Sequence, residues 1–384
     1  MILNASVSRL CHLVLLFLLL WDGVAGYSGK VLLVSMDGFR WDYVNKVSGL
    51  GNFTRLRTSG VTVDYVNNAF PTVTFPNHYT IVTGLYDESH GVVANNMYDP
   101  DTDTDFRLTN ASTDGVWWDG AEPVWITAVR NGLKAGTIQW PGCDAEIRGY
   151  RPTQWRPYEF AGNMTSTHRV TLALDWLHEQ HMDFVALYFD EPDTTGHKYG
   201  PDSPQLANKV REMDGVLGLI LDGLHARNLS DVVNIIVTSD HGMTNIDMKN
   251  KMIDLYSVVS RSLIARVPDS GPVTAILPVA GQEDEVMTAL EKVDHVTAYR
   301  KSDVPERYHY KDHRRIMPII VVAEEGWELA ANVEEFLEWG AKGDHGYDNQ
   351  LPSMKPIFFA RGPDFRQGAH STSIGSVDIY PLLC

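Results

Sequence analysis

The sequence predicts an α/β fold with a central, mostly parallel sheet flanked by helices. Three observations predict it: apolar runs rich in β-branched residues, helical patterns between them, and acidic residues at the run ends. Near-continuous apolar runs of this length are typical of parallel strands covered on both faces. The runs are Lys30–Met36 before Asp37, Phe184–Phe189 before Asp190, and Val232–Thr238 before Ser239 and Asp240.

The N-terminal stretch before the first strand, residues 1–26, is predicted to be a signal peptide. Arg9 supplies a positive charge, and the apolar run Leu13–Trp21 is short for a bilayer-spanning helix. The small residues Val24–Gly26 suit cleavage, with an uncleaved membrane anchor as the alternative. The polar segment that follows favours cleavage, which leaves residues 27–384 as the folded domain.

The clearest helical pattern covers Ser203–Arg227. Ser203 is suited to cap the helix, and Pro204 is suited to its first turn. Apolar residues recur every three or four positions, which predicts a stripe that packs on the sheet. The stripe consists of Leu206, Val210, Met213, Leu217, Ile220 and Leu224.

A small α+β insertion is predicted from about Gly271 to Val322. Its pattern is shorter: the strand VTAILP, a helix over Glu283–Val293, the strand VTAYR and the run PIIVVAE. The main sheet is expected to resume near Pro356–Arg361.

The chain of 384 residues carries a formal charge of −17 and is 44% hydrophobic, so it is neither disordered nor suited to bind a nucleic-acid polymer. An anionic substrate would need another source of positive charge, such as a metal. Once the signal peptide is removed, only Cys143 and Cys384 remain, which excludes a disulfide framework. We expect a partner for Cys384, and a membrane anchor, to lie beyond the end of this chain.

Four glycosylation sequons follow the signal peptide and fit a secreted or cell-surface protein. They begin at Asn52, Asn110, Asn163 and Asn228.

Aspartate and histidine residues cluster at four places, three of them in pairs. Mixed carboxylate and imidazole ligands suit zinc. Any one of these acids could instead cap the following helix, but all four together favour a metal site. The candidates are Asp37, Asp193 with His197, Asp240 with His241, and Asp344 with His345.

Thr74 begins a helical stretch in the segment FPTVTFPNHYT. One interpretation is an ordinary N-cap. The other is a nucleophile, because free backbone N–H groups at a helix N-terminus favour an anion and a nearby metal lowers the pKa of a hydroxyl.

Six motifs follow one another along the chain: TFPNHYTIVTGLY at 74–86, ESHG at 88–91, NMYDP at 96–100, EPDTTGHKYGP at 191–201, SDHGM at 239–243 and GDHGYDN at 343–349. Together they resemble the ectonucleotide pyrophosphatase/phosphodiesterases of the alkaline phosphatase superfamily, most closely the short branch of types 4 and 5. The resemblance covers Lys30 to Cys384 and implies an alkaline phosphatase-like catalytic domain over residues 27–384.

The resemblance implies two zinc ions and a set of substrate contacts. Asp193, His197 and His345 would hold one ion. Asp37, Asp240 and His241 would hold the other, beside Thr74. The implied contacts to the phosphoryl oxygen are Asn95 and the backbone N–H of the residue after Thr74. Phe75 and Tyr158 would hold the base, with Trp140 and Asp144 nearby.

The implied activity is hydrolysis of nucleotide phosphodiester and pyrophosphate bonds, as in ATP, dinucleoside polyphosphates and NAD, through a phospho-threonine. The protein is expected to be a monomer in the secretory pathway, anchored at the cell surface or secreted. Val73 stands where this family often has lysine, which removes a positive charge near the phosphates.

Two alternatives stay open. The first is a phosphodiesterase for choline phosphate or lysophospholipid, as in other branches, and the second is a catalytically dead binding module. The intact set of ligands and Thr74 disfavours the second, and the base-binding aromatics would test the first. Phe75 and Tyr158 could also be ordinary buried aromatics.

Overall fold

The structure, a computed structural model, describes residues 29–384 apart from residues 112 and 161 and the side chain of Asn110. The predicted signal peptide lies outside the described residues. Within the described range, no helix has the length and apolar character that crossing a membrane requires.

The strands of the described range are β1 Lys30–Met36, β2 Val61–Asn67, β3 Asn96–Asp99, β4 Thr104–Arg107, β5 Ala135–Ile138, β6 Gln154–Arg156, β7 Phe184–Phe189, β8 Val233–Thr238, β9 Thr244–Asn245, β10 Met252–Asp254, β11 Ile264–Arg266, β12 Val273–Pro278, β13 Val296–Arg300, β14 Ile319–Ala323, β15 Glu328–Ala330, β16 Gly343–Asp344, β17 Phe358–Arg361 and β18 Ala369–Gly375. Eight of them form a sheet at the centre of the fold, in the order β18-β2-β17-β8-β1-β7-β5-β6. Neighbouring strands of this sheet run parallel, except that β17 runs antiparallel to both of its neighbours.

The three strands predicted from apolar runs lie side by side at the middle of this sheet. Met36 of β1 pairs with Phe189 of β7, and Ser35 of β1 pairs with Thr238 of β8. The three strands therefore end level with one another, and the acidic residues that follow them meet at one edge, where α/β proteins bind ligands.

Helices cover both faces of the sheet, as strands without polar alternation require. In β1, Leu33 packs into the core on one face, while Leu32 and Val34 pack into the core on the other. The helices of the described range are α1 Tyr43–Lys46, α2 Gly51–Ser59, α3 Thr74–Thr83, α4 Asp87–His90, α5 Val124–Arg130, α6 Ser166–His178, α7 Asp193–Tyr199, α8 Pro204–Ala226, α9 Leu255–Val258, α10 Glu283–Leu290, α11 Val333–Trp339 and α12 Ile379–Leu383.

The long helix α8 matches the sequence prediction. The Ser203 hydroxyl accepts a hydrogen bond from the backbone N–H of Leu206, at 3.1 Å, and Pro204 occupies the first turn. All six residues of the predicted apolar stripe are buried. They pack with α2 and α6 on one face of the sheet.

A second, antiparallel sheet, in the order β11-β12-β14-β13, forms from the segment predicted as an insertion. It begins at Ile264, before the predicted start, and its helix α10 ends at Leu290 rather than Val293. The main sheet resumes with β17, which runs antiparallel to its neighbours. Cys143 is buried, Cys384 is exposed, and both are free thiols.

Candidate active site

A cavity of about 750 Å³ opens at the sheet edge where β1, β7 and β8 end. Thr74 and the ligand candidates Asp37, Asp193, His197, Asp344 and His345 line it. The remaining candidates, Asp240 and His241, lie beneath them and are 1% and 0% exposed. The level ends of the central strands bring Asp37, Asp193 and Asp240 together, and the loop after β16 adds His345 from 308 positions beyond Asp37.

Thr74 is the first residue of helix α3, and Val73 occupies the N-cap position without a side-chain capping bond. The interpretation of Thr74 as an N-cap is therefore wrong. Its hydroxyl lies 3.4 Å from Nε2 of His241. A hydroxyl that does not cap the helix is available for chemistry at the helix N-terminus.

Asp37, Asp240 and His241 form one compact group, in which one possible ligand atom of each lies within 4.8 Å of the others. Nε2 of His241 is 2.9 Å from Oδ2 of Asp240 and 3.3 Å from Oδ1 of Asp37. Asp37 follows β1 directly, and the other two follow β8 after one residue. We call these three residues the nucleophile-side group, because Thr74 lies beside them.

Asp193 and His197 lie one turn apart in helix α7, with Nε2 of His197 3.2 Å from Oδ2 of Asp193. Nε2 of His345 lies 3.6 Å from Oδ1 of Asp193. We call Asp193, His197 and His345 the second ligand group. Asp344 joins His197 and His345 in a further compact group, although the resemblance left it out.

Each histidine is oriented by a hydrogen bond from its ring to a backbone carbonyl. Nδ1 of His197 donates to Gly343 at 2.9 Å, Nδ1 of His241 to Gly242 at 2.9 Å, and Nδ1 of His345 to Thr72 at 2.8 Å. Nε2 of each imidazole therefore faces the cluster, in the orientation that such hydrogen bonds give to metal-binding imidazoles.

The hydrogen bonding of the carboxylates of Asp37, Asp193 and Asp240 shows whether the site suits a cation. Among the described residues, Oδ1 of Asp37, Oδ1 of Asp193 and Oδ2 of Asp240 are buried without a hydrogen-bond partner. A buried, unpartnered carboxylate oxygen is costly, and buried charges are normally paired or coordinate metals. Each implied carboxylate ligand thus offers one oxygen that a metal ion would satisfy, so the residues present fit metal binding.

The pKa shifts differ from one residue of the cluster to the next. Burial, reinforced by the neighbouring Asp240, holds the pKa of Asp37 well above its ordinary value. Burial and the neighbouring His241 lower the pKa of His345 to about 3, so its imidazole is neutral and free to ligate. Burial opposes charging of His197, but Asp193 outweighs it and raises the pKa of His197 to about 9.

Sequence reasoning missed two buried partners of this site. The hydroxyl of Tyr188, at the end of β7, donates to Oδ2 of Asp37 at 2.6 Å. His78 in α3 is fully buried between the Thr74 carbonyl, 2.8 Å from Nδ1, and the Ser35 hydroxyl, 2.8 Å from Nε2. Tyr188 belongs to an apolar run that predicts only core packing, and the sequence analysis assigned no role to His78 in the helix that Thr74 begins.

Asn95 lies beside the nucleophile, but its contact differs from the implied one. The backbone N–H of Phe75 donates to Oδ1 of Asn95 at 2.9 Å. The two groups implied to donate together to a phosphoryl oxygen are therefore bonded to each other. This bond leaves the Asn95 side-chain NH₂ as the available donor.

Phe75 and Tyr158 meet edge to face, with ring centroids 5.0 Å apart and planes at 88°. Tyr158 lines the cavity, while Phe75 is fully buried. They therefore touch each other instead of facing across a gap, and a base between them requires the Tyr158 ring to move.

Trp140 and Asp144 are not brought to the cavity lining. Trp140 is fully buried, and its indole N–H donates to the His78 carbonyl at 3.2 Å, so it supports α3 from behind. Their implied contact with a nucleoside stays a prediction.

The sequons differ in accessibility. The side-chain nitrogen of Asn52 donates to the backbone carbonyl and carboxylate of Asp214, at 2.9 and 3.1 Å, which disfavours glycosylation there. Asn163 and Asn228 are exposed. The side chain of Asn110 lies outside the described part of the chain.

A mostly parallel sheet, a threonine at a helix N-terminus and clustered carboxylates and imidazoles define a metal-dependent phosphoric ester hydrolase. The chain belongs to the family described as type I phosphodiesterase / nucleotide pyrophosphatase, whose sequence pattern matches residues 31–348. It is thus an enzyme of the phosphoric diester hydrolase class.

Two curated relatives are similar over most of this chain. One is the human ectonucleotide pyrophosphatase/phosphodiesterase family member 5, 43% identical over 92% of this chain and 73% of that protein. The other is the bis(5'-adenosyl)-triphosphatase enpp4 of Mus musculus, 42% identical over 97% of this chain and 82% of that protein.

Two solved structures are similar as well. The human family member 5 superposes with a TM-score of 0.88 at 42% identity, covering 92% of this chain and 94% of that chain. The murine family member 5, in an inactive Thr-to-Ala form in complex with AMP, also has a TM-score of 0.88 at 42% identity, covering 93% of this chain and 94% of that chain. These likenesses confirm the predicted alkaline phosphatase-like fold.

Proposed function

We propose that this protein is an extracellular, zinc-dependent hydrolase that cleaves nucleotide phosphodiester and pyrophosphate bonds and releases a nucleoside monophosphate. The observation that carries the proposal is the position of the Thr74 hydroxyl, which does not cap helix α3 and lies 3.4 Å from Nε2 of His241. Beside it are the buried carboxylate oxygens that have no hydrogen-bond partner. These residues would together supply a nucleophile, its orientation and a cation-binding cluster.

Thr74 is the proposed nucleophile. Its hydroxyl releases its proton to solvent, and its oxygen forms a bond to phosphorus as the bond to the leaving oxygen breaks, so that the leaving group departs with the electron pair. Water then attacks the resulting phospho-threonine, releases the nucleoside monophosphate and restores the hydroxyl. An inactive Thr-to-Ala form of the murine relative supports this role.

The other residues of the site position the phosphoryl group. Asn95, held by the N–H of Phe75, donates its side-chain NH₂ to a non-bridging phosphoryl oxygen. The position of Thr74 at the N-terminus of α3 adds the favourable end of the helix dipole.

Two zinc ions are the proposed cofactors. The nucleophile-side group would hold one ion beside Thr74, and the second ligand group would hold the other. When bound, the ions would lower the pKa of the Thr74 hydroxyl and stabilise charge on the attacking and leaving oxygens. Two Zn²⁺ against the carboxylates of Asp37, Asp193 and Asp240 would leave about one positive charge, which can attract a phosphodiester despite the net −17.

A nucleotide substrate is supported by the relatives, which are named for dinucleoside triphosphate hydrolysis or were solved with AMP. We place the nucleoside against Tyr158 in the cavity, where the Tyr158 ring must turn away from Phe75 to admit a base. Family member 5 is named an ectonucleotide enzyme, which supports a protein of the secretory pathway, at the cell surface or secreted, with glycans at Asn163 and Asn228. We also propose that the protein is a monomer.

A hydrolysis panel tests the proposal. Purified protein is given ATP, diadenosine triphosphate, NAD and glycerophosphocholine, and products are separated by chromatography. We expect AMP from the three nucleotides. Preferred release of choline phosphate from the fourth would instead support the alternative branch, and no turnover of any substrate by zinc-loaded protein would support a binding module.

Rapid quenching with radiolabelled substrate tests the covalent step. Label is expected on a peptide that contains Thr74, and its absence during turnover would contradict the phospho-threonine.

A further inference from the structure

Trp339 is exposed where the cavity opens, which is unusual for this residue type. Tryptophan is highly buried on average, yet Trp339 is 49% exposed and lines the cavity. It ends helix α11, whose C-cap Gly340 adopts the left-handed conformation at φ 63°, so the chain turns back at once toward the ligand His345.

Trp339 lies beside the second ligand group, with its ring centroid 4.9 Å from that of His197. Phe336, one turn earlier in α11, meets it edge to face at 6.3 Å and also lines the cavity. We call Trp339 and Phe336 the second aromatic wall. The first aromatic wall consists of Tyr158 and the exposed Phe160.

The proposed reaction assigns the two walls to different halves of a substrate. Phosphoryl transfer places the attacking and leaving oxygens roughly in line on opposite sides of phosphorus. Thr74 attacks from the nucleophile-side group, so the leaving group departs toward the second ligand group. The second aromatic wall lies there, next to His197.

Charge and size agree with a long, anionic leaving group. Among the described residues that line the cavity, Arg169 and Lys198 are the lysine or arginine side chains. Arg169 is committed to Asp190 and to the Tyr188 carbonyl, whereas Lys198 is exposed and follows His197 directly. The cavity of about 750 Å³ lies in the upper half of the range of roughly 300–1,000 Å³ for small-molecule sites.

We propose that Trp339 stacks on the second nucleobase of a dinucleoside polyphosphate and so selects substrates whose leaving group carries a nucleoside. This inference rests on the proposed nucleotide hydrolysis and deepens it. Aromatic rings hold any base by its face, so the selection is for the presence of a base rather than its identity.

Binding to a non-turnover form tests the subsite directly. In a zinc-loaded Thr74→Ala background, calorimetry compares diadenosine triphosphate with ATP, which has the same three phosphates and lacks the second adenosine. Adding Trp339→Ala should weaken binding of the dinucleotide by roughly 5- to 100-fold more than binding of ATP. Trp339→Phe should recover most of the loss, because it keeps a ring.

Leu337→Ala is the matched control. Leu337 lies in the same helix and is also 49% exposed, but it does not line the cavity. It should leave both affinities unchanged.

Two results would overturn the subsite. Equal weakening of ATP and the dinucleotide by Trp339→Ala would mean that Trp339 supports His197, and an unchanged dinucleotide affinity would mean that no base stacks there. Either result leaves nucleotide binding, and so the proposed function, standing. Failure of the folded, zinc-loaded Thr74→Ala protein to bind either nucleotide would instead contradict both the subsite and the proposed function.

Discussion

The two ligand groups and the two aromatic walls border the same cavity but are held very differently. His241 and Asp240 are 0% and 1% exposed, and each imidazole of the two groups is oriented by a bond to a backbone carbonyl. Phe160 and Trp339 are 55% and 49% exposed.

The difference distinguishes the groups proposed to carry out the reaction from the groups proposed to select the substrate. Groups that must meet a metal or phosphorus within tenths of an ångström are fixed by strand ends and buried hydrogen bonds. Groups that stack on a base tolerate movement, because stacking needs a ring face rather than one fixed atom position. Changes in the ligand groups should therefore abolish turnover, and changes in the walls should alter substrate preference.

The largest effect is expected at the nucleophile. Thr74→Ala should lower kcat by about 10⁴-fold or more, as removal of a catalytic nucleophile does elsewhere. Zinc content, measured by mass spectrometry of the metal, should not change, and Thr74→Ser should keep partial activity because it keeps the hydroxyl. Wild-type kcat in Thr74→Ala would mean that water attacks phosphorus directly.

The next largest effect is expected from removal of the metal, which tests whether the unpartnered carboxylate oxygens bind metal ions. A chelator should abolish activity and zinc should restore it, with two zinc ions per chain in the active protein. Because Asp193 raises the pKa of His197 to about 9, zinc must displace a proton there at neutral pH. Zinc affinity, measured by competition with a fluorescent chelator, should therefore fall as pH is lowered. A single site, or binding of calcium alone, would rule out the two-ion site.

A smaller effect is expected one layer behind the ligands. Tyr188→Phe removes the hydroxyl that donates to Oδ2 of Asp37 and should reduce zinc affinity or activity by about 10- to 100-fold. Tyr79→Phe is the matched control, since Tyr79 is also buried but its hydroxyl donates to the Trp118 carbonyl. Equal losses in the two variants would show a general packing effect.

The smallest effect is expected at the first aromatic wall. Tyr158→Ala should raise KM for nucleotides by about 10- to 100-fold through lost stacking, with little change in kcat. Bis(p-nitrophenyl) phosphate, which has no base, should be hydrolysed as before. Equal losses on both substrates would assign Tyr158 a packing role beside Phe75 and would reopen the choline-phosphate alternative.

Much of the fold and the candidate ligands could be predicted from sequence. The three central strands, helix α8 and the insertion are each marked by local apolar periodicity, and the ligand candidates stand at the ends of those strands. Tyr188, His78 and Trp339 could not be found in this way, because their positions in apolar or short helical segments are typical of core or surface residues. Only their contacts, with Asp37, Ser35 and His197, mark them as part of the site.

The sequence by itself determined the three central strands, the helix that covers them and the acids and histidines that follow strand ends, because apolar periodicity and the residues next to a strand are local properties. Tertiary structure alone decided which atoms meet. It oriented each imidazole through a hydrogen bond to a backbone carbonyl. It also left one oxygen each of Asp37, Asp193 and Asp240 without a hydrogen-bond partner and bonded Asn95 to the N–H of Phe75. It also placed Trp140 behind α3, since side-chain contacts between segments remote in sequence depend on how whole elements pack.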